Sequence, residues 1–316
     1  MIISASRRTD IPSYYSDWLY NRIKEEFVLV RNPMNVHQIS RISLAPDVVD
    51  GIVFWTKNPK PMMDRLSELK DYTYYFQFTI TPYGKDVEPN LPPKNTDIIL
   101  TFKRLADMIG PDRIIWRYDP ILINAKYTHE YHVQAFAKIA DELHDYTKKT
   151  TISFIDEDYR GVKSNIKDLG LLDFSSDAQL SLSKELAQIA LNYGLSIDTC
   201  AEKIDLQRFG IGHARCIDDR LFEELLDCHL NVDKDKTQRL ECGCVASVDI
   251  GMYNTCKNGC RYCYANYNQN IVNSNHQKHD PISPLISGEV GEVDKIHDRV
   301  IKSCRDIQVR LGDLME

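Results

Sequence analysis

The chain lacks the short signatures that mark several large enzyme classes. It has no G-x-x-x-x-G-K-[ST] phosphate loop, no dinucleotide fingerprint after its first apolar run and no nucleophile elbow. No run approaches the roughly 20 apolar residues that a membrane helix needs. The opening "MIISASRRTD" has no long apolar stretch behind a basic start, so a secretory signal is not expected. Positive charge is not in excess: 39 Lys and Arg against 46 Asp and Glu leave −7, which disfavours broad nucleic-acid affinity but leaves a local basic groove open. Sharp linkers and low-complexity segments are missing before Asn231. These absences, with 43% hydrophobic and 27% charged residues over 316 positions, point to a soluble, cytoplasmic globular protein.

What the chain does have is cysteine. Nine is a high count for a reducing compartment, where disulfides do not persist and clustered thiols more often bind metal or do chemistry.

A second feature is a repeated phrase, a short apolar run that ends in polar residues. It occurs in "MIISASRRTDIP", "GIVFWTKNP", "YYFQFTITP", "RIIWRYDP", "TTISFIDED" and "LSIDTCAE". Such runs fit buried parallel strands. Helical spacing lies between them, in "SDWLYNRIKEEF", "TDIILTFKRLADMIG", "THEYHVQAFAKIADELHDYTKK" and "SDAQLSLSKELAQIALNYG", followed by "DDRLFEELLDCHL". Ser16, Thr96, Thr128 and Ser176 are candidate N-caps, and Gly110 and Gly194 candidate helix stops. Six βα units therefore fill residues 1–230.

Residues 240–316 read differently, as a cysteine-rich segment. Val245–Ile250 and "SPLISGE" offer two more strands, and "EVDKIHDRVIKSCRDIQVRLGDL" a closing amphipathic helix. Six strands and two make eight, the count of a closed (β/α)8 TIM-like barrel in one domain, with an open doubly wound sheet as the alternative. In either fold ligands meet the C-terminal ends of the strands. Those ends carry Arg7, Arg8 and Asp10; Thr56, Lys57 and Asn58; Thr79 and Thr81; Arg117 and Asp119; Asp156; and Asp198, Cys200 and Glu202. Arg7, Arg8, Asp10, Lys57, Arg117 and Asp119 are the candidate catalytic residues, the cations for an anionic substrate and the carboxylates for hydroxyls or protons.

The densest motif is "NTCKNGCRYCYAN", with Cys256, Cys260 and Cys263 in eight residues. Thiolates suit zinc or iron–sulfur clusters, and zinc normally takes four protein ligands. Three thiols suit a [4Fe-4S] cluster with one iron left for a small molecule. Cys-x3-Cys-x2-Cys with an aromatic before the last cysteine resembles the signature of the radical S-adenosylmethionine (SAM) enzymes, and "YCYA" resembles their spore-photoproduct-lyase-like branch. From "MIISASRRTDIP" onward the chain also resembles a microbial family designated domain of unknown function 1848. The first resemblance implies that Cys256, Cys260 and Cys263 ligate three irons and that the fourth binds SAM. Tyr262 would lie against the adenine, and the reduced cluster would release a 5′-deoxyadenosyl radical. A donor such as flavodoxin or ferredoxin would supply the electron. Those enzymes carry the motif after their first strand, whereas here it follows six βα units. A circularly permuted barrel would reconcile the two, with Val245–Ile250 as first strand and Ser287, Gly288 and Glu289 meeting the amino group of SAM.

Four further cysteines form a second candidate set. Cys200 and Cys216 lie 16 residues apart, and Cys242 and Cys244 form "CGC". They are read as a possible auxiliary iron–sulfur site, against separate free thiols. One objection is geometric: a straight strand over 245–250 spans about 20 Å and would carry Cys244 away from Cys256. Cys228 and Cys304 read as packing residues on helices. His276, His279 and His213 are weaker ligand candidates. Two further classes stand beside the radical-SAM reading: an iron–sulfur protein without SAM chemistry, and a barrel enzyme with a structural zinc. The substrate and oligomeric state are not legible.

Overall fold

The computed structural model describes residues 1–156, 160–300 and 302–306. Among them the strands are β1 (Ile2–Ala5), β2 (Phe27–Asn32), β3 (Asn35–Ser43), β4 (Gly51–Thr56), β5 (Tyr74–Thr79), β6 (Ile114–Ile121), β7 (Lys149–Phe154), β8 (Ser196–Thr199), β9 (Gly212–His213), β10 (Val248–Asp249) and β11 (Lys295–Asp298). The helices are α1 (Ile11–Tyr14), α2 (Ser16–Lys24), α3 (Lys60–Met63), α4 (Ile99–Ile109), α5 (His129–Leu143), α6 (Arg160–Asn165), α7 (Ser176–Asn192), α8 (Asp219–Leu226) and α9 (Gln269–Gln277).

All six repeated phrases are strands of one parallel sheet, in the order β10-β1-β4-β5-β6-β7-β8-β9. The order is sequential except at one edge, where the late strand β10 comes round beside β1. The sheet is not a closed barrel, contrary to the sequence-based expectation. No ladder joins β9 to β10, and each contributes only two residues. The neighbouring loops approach through single bonds instead: Gly243 N donates to Ala214 O (3.2 Å) and Val245 N to Ile217 O (3.1 Å).

Three expectations in the last part need correction. The strand proposed over Val245–Ile250 shrinks to Val248–Asp249. "SPLISGE" forms no strand and lies outside the large sheet. Within the proposed closing helix, Lys295–Asp298 is instead β11, parallel to β3 in a small β11-β3-β2 sheet, and residues 307–316 lie outside the described residues. The free edge of β3 offers a row of backbone partners, and an extended segment satisfies them where a helix would not. The β2–β3 hairpin had no counterpart in the sequence reading.

Helices cover one face of the large sheet. Trp18, Leu19, Phe102, Leu105, Phe136, Leu182 and Leu186 pack with Phe54, Phe76, Phe78, Trp116 and Ile152 in the main core. Thr128 caps α5, its hydroxyl accepting from Tyr131 N, whereas α7 is capped by Ser175 rather than Ser176. Ser16 and Thr96 make no side-chain cap.

The opposite face is covered by chain between β9 and β10. Ile2, Val53, Tyr75 and Ile115 pack there against Ile217, Phe222, Leu230 and Val245. The fit is close enough that a methyl group built on Gly51 would overlap the Phe222 ring. Because successive side chains on a strand alternate between faces, this inner face continues from Val53 to Trp55 and Lys57, and from Ile115 to Arg117 and Asp119. Its polarity rises toward the C-terminal strand ends, where a cleft opens.

Candidate metal centre and cleft

The cleft encloses about 810 Å³ and is lined by all seven cysteines of the two candidate sets. The loop that carries Cys256, Cys260 and Cys263 begins just after β10. Asn254 N donates to Ala265 O (2.9 Å), closing its base. Gly259 holds φ +69° between Asn258 and Cys260, a left-handed turn that a side chain would strain, and an added methyl would meet Asn90. The loop is anchored outward at several points. Asn90 Nδ2 donates to Lys257 O (2.7 Å), Arg261 N to Val87 O (3.0 Å) and Tyr15 Oη to Thr255 O (2.7 Å).

Among the described residues no three His, Cys, Asp or Glu side chains stand ready around one point to hold a metal ion. The chemistry of the donor set nevertheless fits a thiophilic cation. Burial raises the Cys256 and Cys263 thiols, and it pushes Cys260 up to about 12 although Lys57 opposes the rise. Charge on neighbouring thiols raises two of them further, Cys256 through Cys263 and Cys260, and Cys260 through Cys263. Such a group ionises when a cation compensates, which is what a soft metal or cluster does.

Two carboxylates tie this loop to the sheet. Asp10 is buried and accepts from Thr56 Oγ1 (2.7 Å), Lys57 N (2.8 Å), Ser13 N (3.1 Å) and Asn258 Nδ2 (3.1 Å). Both its oxygens are thus occupied by the protein, so Asp10 positions the loop against β1 and β4 rather than meeting a ligand. Glu88, which the sequence reading missed, is 1% exposed. It accepts from Lys57 Nζ (2.8 Å) and Thr81 Oγ1 (2.9 Å), and from Lys94 and the Tyr262 hydroxyl. The lysine charges hold its carboxyl down at about 2 against the burial that raises it. Lys57 lies 5.3 Å from the Tyr262 ring centroid. Tyr262 lines the cleft with its hydroxyl committed to Glu88.

Asp249 was also missed, since nothing local marks it. It accepts from Ser4 Oγ (2.9 Å), Ser6 Oγ (2.6 Å) and Arg7 N (2.8 Å), which fixes the turn bearing Arg7 and Arg8. Arg8 lies over Tyr253 and donates to Gly251 O (3.4 Å). Arg7 and Arg117 both lie over Trp55, at 5.6 and 5.1 Å from its centroid. Arg117 Nη1 donates to Gln77 Oε1 (3.2 Å) and Cys216 Sγ (2.9 Å), and Nη2 pairs with Asp119, which also accepts from Ser153. Glu202 accepts from Phe154 N (2.8 Å); burial and the Asp119 charge raise its carboxyl to about 7.

Cys200, Cys216, Cys242 and Cys244 converge. Cys216 Sγ and Cys200 Sγ are 3.5 Å apart, Ile217 N donates to Cys244 Sγ (3.4 Å), and all four cysteines line the cleft. The geometric objection falls because residues 245–247 are not strand, which lets Cys244 turn back toward Cys216. Cys228 and Cys304 pack half-buried at the rim of the inner cluster.

Other candidates lie apart. Gly288 N donates to Lys278 O (3.1 Å) at the end of α9 and Glu289 O accepts from Arg31 (2.5 Å), and neither lines the cleft, although Arg31 does. Asp198 is held beneath it by Lys149 (2.6 Å) and Thr151 (2.6 Å). His276 and His279 pack on Tyr15, and His213 is exposed on β9.

Fold and site together define an α/β protein whose thiol-lined cleft opens at the C-terminal end of a parallel sheet. The chain belongs to the family described as "Domain of unknown function (DUF1848)", which matches residues 2–265 and so includes both thiol sets. No curated protein matches it. Among solved structures, a candidate alpha-L-fucosidase from Bacteroides thetaiotaomicron VPI-5482 is 12% identical, with a TM-score of 0.27; the match covers 50% of this chain and 66% of that one. That likeness is too weak to bear on fold or function. No helix among the described residues is long and apolar enough to cross a membrane.

Proposed function

We propose that the protein is an iron–sulfur enzyme of the radical-SAM type, its cluster held by Cys256, Cys260 and Cys263. The observation that carries this reading is that three buried or half-buried thiols of one short loop line the same cleft as Arg7, Arg8 and Lys57. Cys256, Cys260 and Cys263 would hold such a cluster, which would supply one electron for cleavage of the sulfonium C–S bond of SAM to methionine and a 5′-deoxyadenosyl radical able to abstract hydrogen from a substrate. The residues of the chain bind, orient and shield. Arg7 Nη2, Trp55 Nε1 and Thr9 Oγ1 are buried donors with no partner among the described residues, on residues that line the cleft. They suit a ligand rich in acceptors, such as a carboxylate or a phosphorylated or nucleoside-like substrate. Glu202, raised to about 7, suits proton transfer near neutral pH. A partly enclosed cleft limits water around a reactive intermediate. A small reducing protein such as flavodoxin or ferredoxin would deliver the electron, in a cytoplasmic setting.

A second reading is an iron–sulfur protein without SAM chemistry. It is favoured by the position of Gly288 and Glu289 outside the cleft, which removes the expected contact to the amino group of SAM. The test separates the two. The protein is purified anaerobically, iron and sulfide are counted, and dithionite-reduced protein is assayed for 5′-deoxyadenosine from added SAM. The radical reading expects nucleoside that disappears in Cys256→Ala. Iron and sulfide without nucleoside would select the second reading, and protein with zinc and no iron would overturn both.

A further inference from the structure

We infer that the chain holds a second metal centre, ligated only by thiolates, at Cys200, Cys216, Cys242 and Cys244. The four come from three separate segments: the end of β8, the turn after β9 and the approach to β10. Two backbone bonds bring the last two segments together, Gly243 N to Ala214 O and Val245 N to Ile217 O, and Ile217 N also donates to Cys244 Sγ (3.4 Å). Four thiols from distant sequence thus share one pocket wall, while core filling would need only small apolar residues there.

The sulfur spacing suits a shared metal. With metal–sulfur bonds near 2.3 Å, the edge of a tetrahedron is about 3.8 Å. Cys200 and Cys216 stand 3.5 Å apart, too far for a disulfide. Cys244 Sγ accepts from the N–H of Ile217, next to Cys216, and Gly243, between Cys242 and Cys244, is bonded to Ala214, so side-chain rotation among staggered positions would suffice to bring the four sulfurs of this wall to one centre.

The surrounding charge agrees. Arg117 donates to Cys216 Sγ at 2.9 Å from a fully buried position, and Arg7 is close enough for its charge to act on Cys244 and Cys242. A divalent ion with four thiolates carries −2, as does a 2+ iron–sulfur core with four. Two guanidiniums beside it are the counter-charge that a buried anionic centre requires. Thiol-only donors exclude magnesium and calcium, which take oxygen, and select zinc or iron–sulfur.

The test uses the full chain with the first loop disabled, Cys256→Ala/Cys260→Ala/Cys263→Ala, purified anaerobically for metal and acid-labile sulfide analysis. The variant is expected to keep a thiophilic metal: about one zinc without sulfide identifies a zinc site, and iron with matching sulfide identifies a cluster. Adding Cys216→Ser and Cys244→Ser is expected to remove it at least tenfold. A metal-free loop variant with native circular dichroism overturns the inference, as does metal that survives the two serines. If the loop variant does not fold, Cys216→Ser/Cys244→Ser in the otherwise intact chain serves: loss of one centre relative to wild type supports the inference and unchanged content overturns it. Wild type holding no more metal than the loop variant would instead defeat the proposed first cluster and leave the second standing.

Discussion

The two thiol groups of the cleft are built in opposite ways. Cys256, Cys260 and Cys263 lie within eight residues, and their loop is held by polar struts at Asp10 and Glu88. Cys200, Cys216, Cys242 and Cys244 span more than forty residues and are gathered by packing, with Phe222 and Val245 lying against the inner face of the sheet. The contrast teaches that a local motif relies on charged anchors to fix its orientation, whereas a dispersed one inherits its geometry from the core beneath it. Perturbations should therefore separate them.

The largest effect is expected on the polar side. Glu88→Ala leaves Lys57 and Lys94 without their buried partner, and should lower the free energy of unfolding by about 3–5 kcal/mol. Urea denaturation measures the loss, and the loop should lose metal before the dispersed set does. Retained stability would mean that the lysines find other partners and that the loop does not depend on this strut.

Next is a pH effect that belongs to neither set and so serves as a reference. His132 is buried between the Tyr118 hydroxyl (2.8 Å) and Leu122 O (2.9 Å), and burial lowers its pKa from 6.5 to about 4. Below pH 6.5 the unfolded chain takes up a proton that the folded chain refuses until about pH 4. Stability is thus full above 6.5 and falls as pH drops through that window, by up to about 3 kcal/mol. His132→Gln should flatten that dependence between pH 4 and 6.5; an unchanged slope would assign it to other groups.

On the packed side, Gly51→Ala drives a methyl into the Phe222 ring and should cost about 1–3 kcal/mol, with partial recovery in Gly51→Ala/Phe222→Leu. If the dispersed set depends on this packing, Gly51→Ala should reduce the metal bound by the variant that lacks the three loop cysteines and leave the loop's metal unchanged. Equal loss from both would erase the distinction. Smallest is Asn258→Ala, which removes one donor from Asp10 and the acceptor of Tyr14 Oη (2.8 Å). About 1 kcal/mol is expected, seen as about 1–2 °C in Tm, with selective weakening of the loop.

Much of the architecture was legible because it is local. Each of the six phrases is a run of apolar residues long enough to bury on both sides, and the helical spacing between them demands a crossover, which makes the sheet parallel. The polar strand ends could be named for the same reason, and Lys57, Arg117, Asp119 and Cys200 do line the cleft. Failures fall where long-range partners decide. The tail at 295–298 carries a helical pattern yet pairs with the open edge of β3, and Gly288 and Glu289, held by Lys278 O and Arg31, do not line the cleft. Glu88 could not be singled out because a lone glutamate in "DVEPN" has no pattern; only the arrival of Lys57, Lys94 and Tyr262 from other segments makes it central.

The amino-acid sequence by itself determined the alternation of strand and helix, the parallel sense of six strands and the thiol loop, since each depends on side-chain periodicity or spacing within a few residues. Tertiary structure alone decided that β10 pairs with β1, that the sheet stays open beside β9, and that four scattered cysteines meet. Those outcomes depend on which backbone edges are left to satisfy and which apolar surface is left to cover once the local elements have formed.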